Sequence, residues 1–311
     1  MGNDTLNAVA RPAGKVPRVG LLANGSAATS PSVDAFRRGL RDFGYVEGQN
    51  IALEIRWAEG RFERLNELAT ELVRWKPDVL VTAGPYGLQA ARQATTTIPM
   101  VVIMCDPAET VTERIARPSG HITGVTCMSA DLTPKRLQLL KEAVPSIRRV
   151  AVLYNPFDPN KAEEVRQMQA PARTLGIILQ PAEARELGAF ETAVVGAVRE
   201  GAEALFVLPD PLTQLDRRRI TNLAAKHRLP AMYGFKEFVE AGGLMSYGTM
   251  QTDLYRRAAA HVDKVLRGAN PADVPVEQAT HFELVINLKT AKALGVTLPQ
   301  SLLLRADRLI E

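Results

Sequence analysis

Arg18-Val-Gly-Leu-Leu-Ala-Asn24 is matched, residue class for residue class, by Arg149-Val-Ala-Val-Leu-Tyr-Asn155, 131 positions later. Ile98-Pro-Met-Val-Val and Leu229-Pro-Ala-Met-Tyr lie at the same offset of 131, and Val79-Leu-Val-Thr-Ala-Gly-Pro85 and Leu205-Phe-Val-Leu-Pro-Asp-Pro211 are displaced by 126. Each is a short apolar run that ends in loop residues, the pattern of a buried strand in a parallel sheet. Three such pairs in one order predict two similar α/β lobes. The groove where two such lobes face each other is then the expected binding site.

Working outward from these strands, apolar segments of four to seven residues alternate with helical stretches. In the first lobe, strand 18–23 leads to a helix from Ser30-Pro31 that stops at Gly44, with Pro placed where a helix begins. Strand 51–57, helix 62–75, strand 79–82, helix 87–94 and strand 100–104 follow, and helix 132–144 bridges onward. The second lobe repeats the plan with strand 150–154, helix 161–175, strand 177–180, helix 189–200, strand 204–208, helix 215–227 and strand 231–233. Strand 244–247, a long helix 254–266, strand 282–286 and a helix 288–294 stopped by Gly295 complete it. Alternation of this kind predicts parallel sheets with right-handed crossovers.

Composition narrows the partners. The 311 residues are 46% hydrophobic and 23% charged, enough for two cores, and no apolar run approaches the ~18–20 residues that span a bilayer. A net charge of +4 and 5% aromatics give neither a basic nucleic-acid face nor a base-stacking platform. Arg217-Arg-Arg219, the one dense basic cluster, reads as a solvated helix face. The four histidines are dispersed, without metal-ligand spacing, and no nucleotide-binding glycine motif is present, so no cofactor is expected. Cys105 and Cys127 each close an apolar strand. Two buried thiols fit that placement, and so does a disulfide if the strands are neighbours. Met1 to Lys15 is polar and lacks the apolar core of a signal peptide, which fits a cytosolic chain or a mature start.

In parallel sheets the strand C-termini carry the ligand, because the helices that follow direct free N–H groups there. The ends predicted here supply Asn24, Ser26, Gly84, Pro85, Asp106, Asn155, Asp210, Tyr233 and Tyr247. Asp106 and Asp210 can oppose an ammonium group from different lobes, and backbone N–H groups at Ser26 and Gly84 can hold a carboxylate. Both aspartates also precede Pro and a helical turn, the ordinary setting of an N-cap, and one residue can fill both roles.

Ala116-Arg-Pro-Ser-Gly-His-Ile-Thr-Gly124 resembles the ARPGGNITG signature of substrate-binding components of ABC transporters of the tryptophan/tyrosine-binding type. Lys135 to Pro145, Arg149 to Asn155, Glu237 to Gly248 and Phe282 to Gly295 are similar to further segments of that family, so the resemblance spans about residues 17–311. It implies a type I periplasmic-binding-protein fold, with two Rossmann-like lobes joined by hinge crossings. It also implies a small-molecule ligand held in the interlobe cleft, an ABC permease with its ATPase as partner, and a periplasmic location. The family's ligand-contacting loops map onto Ser26, Gly84, Asp106, Asn155, Asp210 and Tyr247. Ser119 and His121 depart from the signature, and Glu109 stands where a small apolar run is usual, which alters the charge preference near the cleft.

These readings divide the chain into a lobe of 17–126 plus about 248–276, a lobe of 127–247 plus about 277–311, and a disordered leader over 1–16. The expected function is hinged capture of a small polar solute, such as an amino acid, by a monomer without catalysis, metal or membrane insertion. The rivals are a two-lobed enzyme such as a racemase or epimerase, which needs facing acid/base groups, a sensory ligand-binding module, and the effector core of a transcription regulator. The regulator would need a DNA-binding headpiece that the ~16 residues before Arg18 cannot form.

Overall fold

A computed structural model describes residues 16–25, 30–105 and 120–311. The leader expected over 1–16 lies, but for Val16, outside the described residues. Two sheets form. The first contains β1 (Arg18–Ala23), β2 (Ala52–Trp57), β3 (Val79–Ala83), β4 (Met100–Met104), β5 (Ile122–Thr126) and β11 (Glu277–Gln278), in the order β11-β5-β4-β3-β1-β2. The second contains β6 (Arg149–Tyr154), β7 (Ile178–Glu183), β8 (Ala204–Val207), β9 (Ala231–Tyr233), β10 (Met245–Gly248), β12 (Glu283–Asn287) and β13 (Arg308–Ile310), in the order β13-β12-β10-β9-β8-β6-β7. The run β2-β1-β3-β4-β5 is reproduced as β7-β6-β8-β9-β10. The three matched segments are therefore β1/β6, β3/β8 and β4/β9, in equivalent places. Strand pairing is parallel except where β12 runs antiparallel to β10.

Burial follows position in the sheet. Central strands β4, β5 and β8 are buried along their whole length, β4 and β8 as continuous apolar runs and β5 with Thr123 and Thr126 buried among apolar residues. Edge strand β7 alternates buried and exposed residues, and edge strand β2, with Glu54 and Arg56 between apolar neighbours, is half-buried throughout.

Helices α1 (Pro31–Asp42), α2 (Leu65–Arg74) and α3 (Gly84–Ala94) cover the first sheet. Ser30 caps α1, its Oγ accepting from Val33 N at 3.3 Å. Helix α4 (Ser129–Ala143) follows β5. The second sheet carries α5 (Pro159–Gln167), α6 (Gln169–Thr174), α7 (Phe190–Arg199), α8 (Pro211–Leu215), α9 (Arg217–Lys226) and α10 (Lys236–Glu240). Helix α11 (Gln251–Leu266) crosses back and packs on α1, β4 and β5. Helices α12 (Leu288–Leu294) and α13 (Gln300–Leu303) close the chain, α12 ending at Gly295 with φ 70° as the sequence predicts.

The chain passes between the sheets three times among the described residues: at Cys127–Met128, at Thr249–Met250 and between Ala279 and Phe282. The crossings are tied to one another. Thr249 Oγ1 donates to Cys127 O at 3.1 Å, and Ala279 N donates to Thr126 O at 2.9 Å.

Several predicted elements differ. Helix 62–75 is a 3₁₀ turn at Phe62–Arg64 followed by α2. Helix 161–175 is divided at Met168, three residues before Pro171, and helix 215–227 is preceded by the separate turn α8. Helix 87–94 begins three residues earlier, because Gly84 takes φ +73° and turns the chain at once out of β3. Helix 132–144 begins at Ser129 despite Pro134. Pro cannot donate, yet Thr133 Oγ1 and Arg136 Nη1 both bond to Ser129 O and hold the turn before it.

Candidate functional site

The C-terminal ends of the strands of both sheets face a cavity of about 470 Å³ between the lobes. The first sheet contributes Asn24 and Gly25 after β1, Trp57 at the end of β2, Gly84 and Pro85 after β3, and Cys105 after β4; α11 adds Gln251, Leu254 and Tyr255. The second contributes Asp158 and Lys161 from the start of α5, Asp210 and Gln214 from α8, Arg217 and Arg218 from α9, and Phe235, Glu237 and Glu240 around α10. Among the described residues, every charged side chain on this lining belongs to the second lobe, and the first lobe's wall is uncharged, made of small, hydroxyl, amide, aliphatic and aromatic side chains.

Asp210 sits where the electrostatics are sharpest. It is 3% exposed and caps α8, its Oδ1 accepting from Leu212 N at 2.7 Å while Thr213 Oγ1 accepts from Asp210 N at 3.2 Å. Its other oxygen, Oδ2, has no hydrogen-bond partner. Burial pushes its carboxyl up to about 6. The Leu212 amide, Lys161 and Asn155 pull in the other direction, and Asp158 adds to the rise. Three more lining atoms are buried without partners: Asn24 Oδ1, Gln214 Nε2 and Glu237 Oε2. Burial raises the Glu237 carboxyl as well. A buried polar atom left unpaired costs about 1–3 kcal/mol, so these four around one cavity, three oxygens and the Gln214 amide donor, constitute a set prepared to hydrogen-bond a ligand.

The lobes touch at the cleft's rim. Asn155 Nδ2 donates to Tyr86 Oη across the gap. A Cβ placed on Gly84 would lie 3.0 Å from Pro211 Cγ, and one on Gly60 3.5 Å from Leu215 Cδ1. Burial, aided by the charge of Asp210, raises Tyr86 to about 12, so its hydroxyl remains protonated. These contacts describe a closed arrangement.

The predicted site residues fall into three groups. Asn24, Gly84, Pro85 and Asp210 line the cleft together. Ser26 and Asp106, like Glu109 and Ser119, lie outside the described residues. Asn155, Tyr233 and Tyr247 are placed otherwise. The Asn155 side chain is taken up by Tyr86 and by Phe157 N. Tyr233 is fully buried, stacked on Phe238 at 4.7 Å between centroids, with its ring against Gly243, so it belongs to the core. Tyr247 packs beside Phe282, and its carbonyl accepts from Arg136 Nε at 2.6 Å. The expected solvated face of Arg217-Arg-Arg219 holds for Arg219, which pairs with Glu191, whereas Arg217 and Arg218 reach the cleft. Sequence reading missed Trp57, Tyr255, Gln214 and Glu237. Trp57 obeys the strand-end rule and was within reach of it; the others lie in the first or second turn of helices. The two cysteines are joined to each other, Cα to Cα 4.7 Å, across neighbouring strands β4 and β5.

The family described as ABC transporter substrate binding protein matches residues 25–310. A tyrosine-binding protein of Clostridioides difficile is 26% identical over 276 residues, covering 86% of this chain and 78% of that protein. A solved conserved domain protein from Vibrio cholerae superposes with a TM-score of 0.85 at 27% identity, covering 95% of this chain and all of that one. The ABC domain in complex with L-Trp from Streptococcus pneumonia gives a TM-score of 0.85 at 24% identity over the same shares.

Proposed function

The chain belongs to the ABC transporter substrate-binding protein family, and on that premise we propose that it captures an amine-bearing ligand with an apolar body. An amino acid, aromatic ones first, is the leading class. The observation that carries this reading is the division of the cleft among the described residues: the charged lining groups stand on the second lobe and an uncharged wall with Trp57 and Tyr255 on the other. Asp210 Oδ2 receives the ligand's ammonium, with Asp106 opposite it. Backbone N–H groups at Ser26 and at Gly84, the latter opening α3, hold its carboxylate. Asn24 and Pro85 complete the first-lobe wall, and the ligand's apolar part lies against Trp57.

Capture is a hinge transition. The lobes, 17–126 plus about 248–276 and 127–247 plus about 277–311, turn about the three crossings, and a ligand touching both favours the closed form. The closed monomer then docks on a permease with its ATPase, in the periplasm. The Cys105–Cys127 bond supports that location, since disulfides persist in oxidising compartments. The protein acts as a passive receptor without catalysis or a cofactor. A racemase of this shape would need a pair of facing thiols or similar acid/base groups, and here the two thiols are joined in one disulfide.

The test is calorimetric titration with amino acids, aromatic acids, small amides and sugars, after unfolding and refolding to strip co-purified solute. Low-micromolar binding, about −8 kcal/mol, is expected for an amine-bearing member. A response confined to sugars, or none at all, removes the amino-acid ligand and leaves only the family.

A further inference from the structure

Beneath the cleft, the second lobe buries a connected set of charges that ligand recognition does not use. Arg136, on α4, is 1% exposed. Its Nε donates to Tyr247 O at 2.6 Å, and its Nη1 donates to Ser129 O at 3.1 Å and to Ser129 Oγ at 3.0 Å. Ser129 opens the second lobe after the first crossing, and Tyr247 is the penultimate residue of β10, just before the second. One guanidinium therefore grips the second-lobe ends of both, a task for a rigid planar fork.

The surroundings are shaped to admit it. A Cβ on Gly248 would stand 2.1 Å from Gly234 O and 3.1 Å from Arg136 Nη2, so glycine alone lets the crossing approach so closely. Met128, between Cys127 and Ser129, has φ 53°, a left-handed conformation that a branch-free but bulky residue keeps only when its neighbours fix it. The charge is balanced by Glu164, whose Oε1 accepts from Thr133 Oγ1 at 2.6 Å and from Ser129 Oγ at 3.5 Å. Its Oε2 pairs with Lys161 Nζ at 3.0 Å, both side chains buried. Lys161 is itself on the cleft lining, beside Asp158 and Asp210.

We propose that Arg136 is the positioning residue of the hinge: it fixes the geometry of two crossings, and through Ser129, Glu164 and Lys161 it links that geometry to the floor of the cleft. The link to the cleft rests on the ligand reading above; the grip on the crossings does not. Burying an ion pair seldom adds stability over apolar packing, so a set this extensive is better explained by the single arrangement it specifies.

The experiment places spin labels at Glu67→Cys and Glu186→Cys, exposed positions on opposite lobes, and measures the interlobe distance distribution with and without L-tryptophan. Arg136→Lys keeps the charge but cannot span both carbonyls. It is expected to broaden the ligand-free distribution about twofold and to weaken L-tryptophan roughly tenfold. A residue that merely supported the core would lower the unfolding temperature and leave the distribution's width unchanged, and that result in folded Arg136→Lys overturns the proposal. If Arg136→Lys does not fold, Arg136→Gln, whose single amide can reach only one of the two carbonyls, decides by the same width: broadening supports the grip, and wild-type width overturns it. If wild type itself ignores L-tryptophan while Arg136→Lys still broadens, the amino-acid reading fails and the hinge assignment stands.

Discussion

The two lobes share a strand order and divide the chemistry unequally. The first lobe's wall is uncharged among the described residues, with Trp57 at the end of β2 and Tyr255 on α11. The second lobe's wall holds Asp158, Lys161, Asp210, Arg217, Arg218, Glu237 and Glu240. They are also held together differently. The Cys105–Cys127 disulfide ties the end of β4 to the first crossing, whereas the second lobe's cleft side is held by the buried Arg136–Glu164–Lys161 set. A duplicated scaffold thus carries one half-site that reads shape and another that reads charge.

The largest expected effect breaks the first lobe's fastening. Reducing Cys105–Cys127, separated by 22 residues, should cost about 3 kcal/mol of stability by the loop-closure argument. Chemical unfolding with and without reductant measures it; an unchanged midpoint would mean that the strands hold those ends unaided. Next, Asp210→Asn should weaken an amino-acid ligand by about 2–3 kcal/mol, the worth of a hydrogen bond to a charged group. Asn still caps α8 and removes a carboxylate that burial penalises, so near neutral pH unfolding stability should hold or rise, while Asp210→Ala should lose roughly 1 kcal/mol relative to Asp210→Asn from the cap. Calorimetry beside thermal unfolding separates the two losses. Equal affinity for wild type and Asp210→Asn would take Asp210 out of the site.

The charged lobe should also show in pH. The Asp210 carboxyl lies near 6 in the fold against an ordinary 3.8, so the ligand-free protein binds more protons than the unfolded chain between those values. Its own contribution to stability is therefore present at low pH and lost as pH rises from about 4 to 6. An ammonium ligand needs the carboxylate. Affinity should fall as pH drops below about 6, by up to about tenfold per unit, with protons released on binding. Titrations in two buffers of different ionisation enthalpy read that release, and it should vanish in Asp210→Asn.

Smaller effects test the uncharged lobe. Trp57→Ala should weaken an aromatic ligand about five- to tenfold and hardly affect a short aliphatic one, as the loss of one aromatic contact would. Equal losses for both would mean that Trp57 shapes the cleft without touching the ligand. Tyr86→Phe removes only the interlobe hydrogen bond to Asn155 and should speed dissociation about two- to fivefold, the worth of one neutral hydrogen bond. Stopped-flow release rates decide it.

Much of the fold was legible because the central strands carry it. A strand buried on both faces is mostly apolar, so β1/β6, β3/β8 and β4/β9 repeat visibly. The site was half legible for the same reason. Strand ends give Asn24, Gly84, Pro85 and Asp210 directly, but they do not tell which face a side chain takes. Tyr233 ends a three-residue strand with apolar residues on both faces, so no alternation shows that its ring turns inward onto Phe238. Gln214 and Glu237 were hidden because they reach the cleft from within helices. Arg136 was hidden in an amphipathic helix, where a charge reads as solvent-facing until Gly234 and Gly248 are seen to make room for it.

The most direct test of the charged half-site is thermal unfolding with matched ligands that differ only in the amine: L-tryptophan against indole-3-propionate. At 100 times its dissociation constant a ligand adds about 2.7 kcal/mol, a shift of several degrees. The account predicts that shift with L-tryptophan, little or none with indole-3-propionate, and its loss in Asp210→Asn. Equal shifts with both compounds would contradict an ammonium held by the second lobe's acids.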